Sequence, residues 1–105
     1  MSPVVHHFEC QVGSQAGVPM ALIYLAPEVC IEVSRHLVWT VHRDVLAECL
    51  VSPVPPYEDT VFEAHTIDDL VVMDIALTLP LHMVMELADV QAFLNATYAP
   101  VLAGA

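Results

Sequence analysis

The side chains able to do chemistry are present but dispersed. The chain of 105 residues has six histidines, His6, His7, His36, His42, His65 and His82. A metal site needs several ligands to converge, and a local pair such as HxxxH puts two on one face. No two histidines here have that spacing. His6 and His7 are neighbours in an extended segment and point to opposite faces. The cysteines, Cys10, Cys30 and Cys49, form no CxxC pair. A nucleophilic thiolate needs electropositive surroundings. Cys10 and Cys30 fall in predicted strands, and Cys49 follows Glu48, whose charge disfavours a thiolate. Ser2, Ser14, Ser34 and Ser52 lie in no GxSxG turn. The paired carboxylates Glu58-Asp59 and Asp68-Asp69 fall in predicted loops and read as solvated turn charges. Gly13, Gly17 and Gly104 do not cluster at a strand–helix junction, so no phosphate-binding loop is expected. No catalytic residue, metal or cofactor is assigned, and the chain reads as non-enzymatic.

Charge narrows the classes further. There are 2 basic residues against 13 acidic ones, a net charge of -11. Two arginines and no lysine cannot neutralise the several phosphates that sustain non-specific nucleic-acid binding. An anionic membrane surface is disfavoured for the same reason. Adding six positive charges by protonating every histidine would move -11 to -5 and weaken self-repulsion. The hydrophobic content, 57%, is too high for a disordered chain. One domain of this length buries roughly 60–70% of the surface its unfolded chain exposes. An odd number of unpaired cysteines fits a reducing, cytoplasmic setting. No basic, apolar leader opens the chain, and the apolar run from Leu70 to Leu87 is broken by Asp74, Pro80, His82 and Glu86.

The elements that must position these residues follow from period and punctuation. Strands are predicted over 4–12, 18–25, 29–34 and 37–41, with turns at Gly13 to Gly17, Ala26 to Glu28 and Arg35-His36. Pro19 predicts an edge position or a strand beginning. Asp44 reads as the N-cap of a helix over 45–51. Pro53, Pro55 and Pro56 end it and open an acidic linker over about 52–60 between two halves of one domain. Strands then follow over 61–67, 70–77 and 81–87, with Asp68-Asp69 as a turn. Asp89 reads as the N-cap of a closing helix to about Tyr98, with a frayed tail from Pro100. Asp44-Val45-x-Ala47 echoes Asp89-Val90-x-Ala92 at a separation of 45 residues. Strands, helix, strands, helix predicts an α+β fold of antiparallel sheets closed by helices.

One connection departs from turn chemistry. Between the last two strands stands Leu77-Thr78-Leu79-Pro80-Leu81. Hairpin turns favour glycine, asparagine or aspartate. An apolar tip is costly in water unless covered. Leu79, Pro80 and Leu81 are therefore interface candidates, unless the tip folds back on its own core. Trp39 reads as a core anchor. Arg43 is expected to pair with a carboxylate, as fold support or as a partner contact. Glu58, Asp59, Glu63, Asp68 and Asp69 form the candidate acidic face.

Trp39, Arg43, Asp44, Leu46, Glu48 and Leu50 match a segment close to W-x-F-A-R-D-L-L-x-E-G-L. Here the chain resembles the SsgA-like proteins of sporulating actinomycetes. Val18-Pro19 through Leu22, Tyr24 and Pro27 resembles the family's V-P-x-x-L-x-Y…P stretch. Val71 to Leu77 resembles V-V-C-I-A-L with one residue inserted. Phe93 and Leu94 fit the closing A-x-x-x-F-L helix. Residues 18 to 96 are covered in order. The resemblance implies a whirly-like fold, a homotrimer held by hydrophobic contacts, and a cytoplasmic regulator of cell division. It implies action at septa and recruitment of the tubulin-like division protein FtsZ. Where the family has a basic, tryptophan-bearing strand, residues 61–70 are acidic. Two other readings are carried: a single-stranded nucleic-acid binder on the same fold, and a small ligand-binding domain or enzyme in which His36, His42 and a carboxylate converge.

Overall fold

The computed structural model describes residues 4–51 and 61–103, with side chains described to Tyr98. The elements are β1 (Val4–Val12), β2 (Gln15–Leu25), β3 (Glu28–Val33), β4 (His36–His42) and α1 (Arg43–Val51), then β5 (Phe62–Ile67), β6 (Leu70–Ile75), β7 (Leu81–Glu86) and α2 (Leu87–Ala103). The predicted order of strands, helix, strands, helix stands, and every strand pair is antiparallel. The strands form one seven-stranded sheet in the order β4-β3-β2-β1-β7-β6-β5. Sequence had predicted sheets in two halves. They are joined at the end of β1, where Gln11 and Val12 pair with Val84 and Met83.

Turn chemistry accounts for the shifted boundaries. β2 begins at Gln15 rather than Val18, because Gly13 and Ser14 alone make the turn and Val12 pairs with Gln15. A bulge between Cys10 and Val12 then sets Gln11 against two residues, Ala16 and Gly17. Gly17 takes φ +68° there, which glycine adopts without steric cost. The β3–β4 hairpin turns on Ser34 and Arg35, not on Arg35 and His36, and both have positive φ (52° and 69°). Two such residues match the twist of the flanking strands. β6 stops at Ile75, and β7 at Glu86.

Pro19 lies neither at a sheet edge nor at a strand's first residue, contrary to expectation. β2 is interior, between β1 and β3. The Pro19 carbonyl accepts from the Ser34 N–H at 2.8 Å. Backbone groups of one strand residue point the same way. The donor that proline lacks would therefore face the Ser34-Arg35 turn, beyond the last rung of β3, so no ladder bond is lost.

The helix starts are also corrected. α1 begins at Arg43, so His42 is its N-cap and Asp44 its second residue. The His42 Nδ1 accepts the Asp44 N–H at 3.2 Å, which satisfies one orphan donor of the first turn. α2 begins at Leu87, placing Asp89 third. It runs on through Pro100 to Ala103, where a frayed tail was expected. The Asp-Val-x-Ala echo is not structural: Val45 is exposed and Val90 fully buried. The linker 52–60 lies outside the described residues.

Alternation puts one side of each strand into the core. Val29, Ile31 and Val33 of β3 and Val71, Met73 and Ile75 of β6 are buried. α2 covers that side with Val90, Phe93, Leu94 and Thr97, a spacing of three and four residues that keeps one helical stripe inward. α1 buries Leu46 fully. Trp39 is a partly buried neighbour of this core.

Candidate functional site

The β6–β7 connection stands out among the described residues. Leu79 is 82% exposed, and Leu77 is also open to solvent. Neither folds back on the core. Leu81 differs: it starts β7 opposite Ile75 and is partly buried against the core. The loop is anchored at its root, where the Ala76 N–H bonds the Val61 carbonyl at 2.7 Å. Beside it runs a groove of about 310 Å³, with Pro80, Leu81 and Val61 on its apolar side. Its polar side is one cross-strand row, Glu63 on β5, Asp74 on β6 and His82 on β7. The His82 Nδ1 lies 2.6 Å from an Asp74 carboxylate oxygen, both side chains open to water. This arrangement offers an apolar lip beside two carboxylates, suited to a partner that brings cationic and apolar groups together. Sequence reasoning missed Asp74 and His82. Their only signal was two alternation-matched positions, which acquire meaning once the register sets them opposite.

The other acidic candidates do not join this row. Asp68 and Asp69 make the β5–β6 turn, at the far end of β6 from the loop. Six strand residues separate them, about 20 Å. Asp68 has φ 53°, a conformation aspartate tolerates better than most residues. Glu58 and Asp59 lie outside the described residues.

Arg43 is engaged within the chain. Its guanidinium lies 4.0 Å from the Tyr98 ring centre and 5.1 Å from that of Tyr24. Its Nε is 3.2 Å from Asp44, and a terminal nitrogen donates to the Thr97 carbonyl at 3.5 Å, a long bond. The Tyr98 hydroxyl donates to the same Asp44 oxygen at 2.9 Å. That hydroxyl, then the Arg43 contact, holds the Asp44 carboxyl below its ordinary range. Tyr98 moves up, through burial and then its bond to Asp44. β2, α1 and α2 thus meet at one cation.

The remaining reactive groups stay apart. His36 and His42 end the same strand, about 20 Å from each other, and do not converge. His6 turns inward and meets the Phe93 ring edge-on at 5.6 Å, while His7 turns out. Among the described residues no three His, Cys, Asp or Glu side chains are placed to hold a metal ion. Burial raises all three thiols. Glu28 and Glu32 add to it at Cys30. At Cys49, the Ala64 backbone partly offsets it and Glu48 adds to it. No helix among the described residues is long and apolar enough to cross a membrane.

No family model matches the chain, and neither a curated protein nor a solved structure matches it.

Proposed function

We propose that this protein is a non-enzymatic, self-assembling adaptor of the SsgA-like kind, acting in sporulation-associated septation. The observation that carries the reading is the solvent-exposed leucine tip at Leu77 and Leu79 beside the Glu63–Asp74–His82 row. An apolar tip fixed in water is a contact surface in want of a cover. The acidic row beside it favours a partner with basic groups. The resemblance over 18–96 supplies the cellular context: a cytoplasmic regulator that localises at septa and positions FtsZ. Two experiments test this. Light scattering at several concentrations, at pH 6 and 7.5, reads assembly, and a mass above that of the 11.5 kDa monomer is expected. A fluorescent fusion in a sporulating actinomycete reads location and partner, and bands at future septa together with co-sedimentation of the fusion with FtsZ are expected. Diffuse fluorescence with no co-sedimentation overturns the reading.

A second reading, a small ligand-binding domain, draws on the same groove. A small cation held by Glu63 and Asp74 would shift the His82 ring resonances on titration. Unmoved resonances across a panel of organic amines would remove it.

A further inference from the structure

We propose that the free edge of β4 pairs with β4 of a second copy, antiparallel, about a two-fold axis through Thr40. The inference rests on the self-assembly part of the reading above and on no other part of it.

The sheet has two edge strands, β4 and β5, and they are not alike. At β5 the neighbouring helix α1 packs alongside the strand. At β4 the Arg43 N–H bonds the Pro27 carbonyl at 3.0 Å, which fixes the alternation. Val41 and Trp39 turn their backbone groups to β3, and Thr40 turns its N–H and C=O outward. Among the described residues no backbone group meets them. Thr40 and His42 are exposed, and Leu37 is 61% exposed.

Natural edges are blunted with lysine, proline, inward charges or bulges. β4, His36-Leu37-Val38-Trp39-Thr40-Val41-His42, contains no lysine, proline or carboxylate. Its one such device, the bulge at Val38 between Leu37 and Trp39, limits symmetric pairing about Thr40 to Trp39, Thr40 and Val41. A two-fold axis through Thr40 makes each Thr40 exchange N–H···O bonds with its counterpart. Trp39 of each copy then faces Val41 of the other. Threonine pairs and aromatic–β-branched pairs are among the favourable cross-strand combinations. No ionisable side chain lies in the paired stretch Trp39 to Val41. The strand is thus complementary to itself. The contact is small, of the weak class below roughly 1,200 Å², and the net charge of -11 opposes it. Added salt therefore strengthens it. A two-fold contact closes a dimer, whereas the family resemblance implies a trimer.

The test compares wild type with Thr40→Lys, Thr40→Pro and Leu79→Ser by light scattering from about 10 µM to about 1 mM. Hydrogen exchange at the Thr40 amide is followed over the same range. An edge strand tolerates proline where its N–H faces outward, and the lysine variant decides the matter if the proline variant unfolds. The expected result is a wild-type mass that rises with concentration to twice the 11.5 kDa monomer. The Thr40 amide slows about tenfold or more over that range as its bond forms. Both Thr40 variants stay monomeric with native circular dichroism, and Leu79→Ser still dimerises. Assembly that survives both Thr40 variants, or a trimer, overturns the edge pairing and leaves self-assembly standing. A wild-type monomer throughout overturns both.

Discussion

Arg43 sits where three elements meet, and its surroundings suit a guanidinium rather than any cation. Tyr98 and Tyr24 offer ring faces, while Asp44 accepts from Nε. A lysine ammonium keeps the charge but loses the planar stack and the directed fork. Arg43→Lys should cost about 1–2 kcal/mol, read as a lower urea midpoint at unchanged m-value. Asp44 adds a pH dependence whose sign follows from its lowered carboxyl. The Tyr98 and Arg43 contacts stabilise the fold above the ordinary carboxylate pKa, and that part is lost as pH falls through the lowered folded value. Tyr98→Phe should move the Asp44 titration, followed by NMR, up toward the usual range of about 4. Its destabilisation should be present at neutral pH and fade in acid. An Asp44 titration that does not move would contradict the assignment.

Two local structures decide how β4 enters and leaves the sheet. The Ser34-Arg35 turn holds two non-glycine residues at positive φ, where a side chain costs about 1–2 kcal/mol per residue. Arg35→Gly should relieve part of that and raise stability by up to about 1 kcal/mol, visible as a higher melting temperature. At the other end His42 caps α1 through Nδ1. His42→Ala should cost about 1 kcal/mol, and His42→Asn should restore most of it. An alanine variant as stable as wild type would show that the first turn of α1 does without that acceptor.

For the molecule as a whole the question is what meets its exposed apolar residues. Leu79 and Leu81 were adjacent interface candidates, but they do different work. Leu79 is in water, and Leu81 is packed on the core. Leu79→Ser should leave the melting temperature unchanged while weakening co-sedimentation with FtsZ. Leu81→Ser should lower stability by about 2 kcal/mol, because it empties a packed position. A double Ser variant would mix partner binding with folding, so the single Leu79 change is the clean probe. Co-sedimentation undiminished by it would remove the loop from the partner surface.

Patterning and punctuation by themselves determined the order of elements, the antiparallel class and the inward face of most strands. Val71, Met73 and Ile75 were legible as one face because a strand alternates strictly. Val90, Phe93 and Leu94 were placed in one closing helix. What local sequence could not decide was set by pairing across distance. Pro19 broke a rule of thumb because the missing donor matters only where a neighbour would accept it. The partner of that position is a turn 15 residues later. Asp44 looked like a cap by residue type, yet the helix begins a residue before it, fixed by the Arg43 N–H on Pro27. The Glu63–Asp74–His82 row and the open edge at Thr40 exist only in the register and order of the sheet. Hydrophobic period specifies which face a residue takes. Which residues become neighbours depends on how the ladders close, and that free energy is shared over the whole fold.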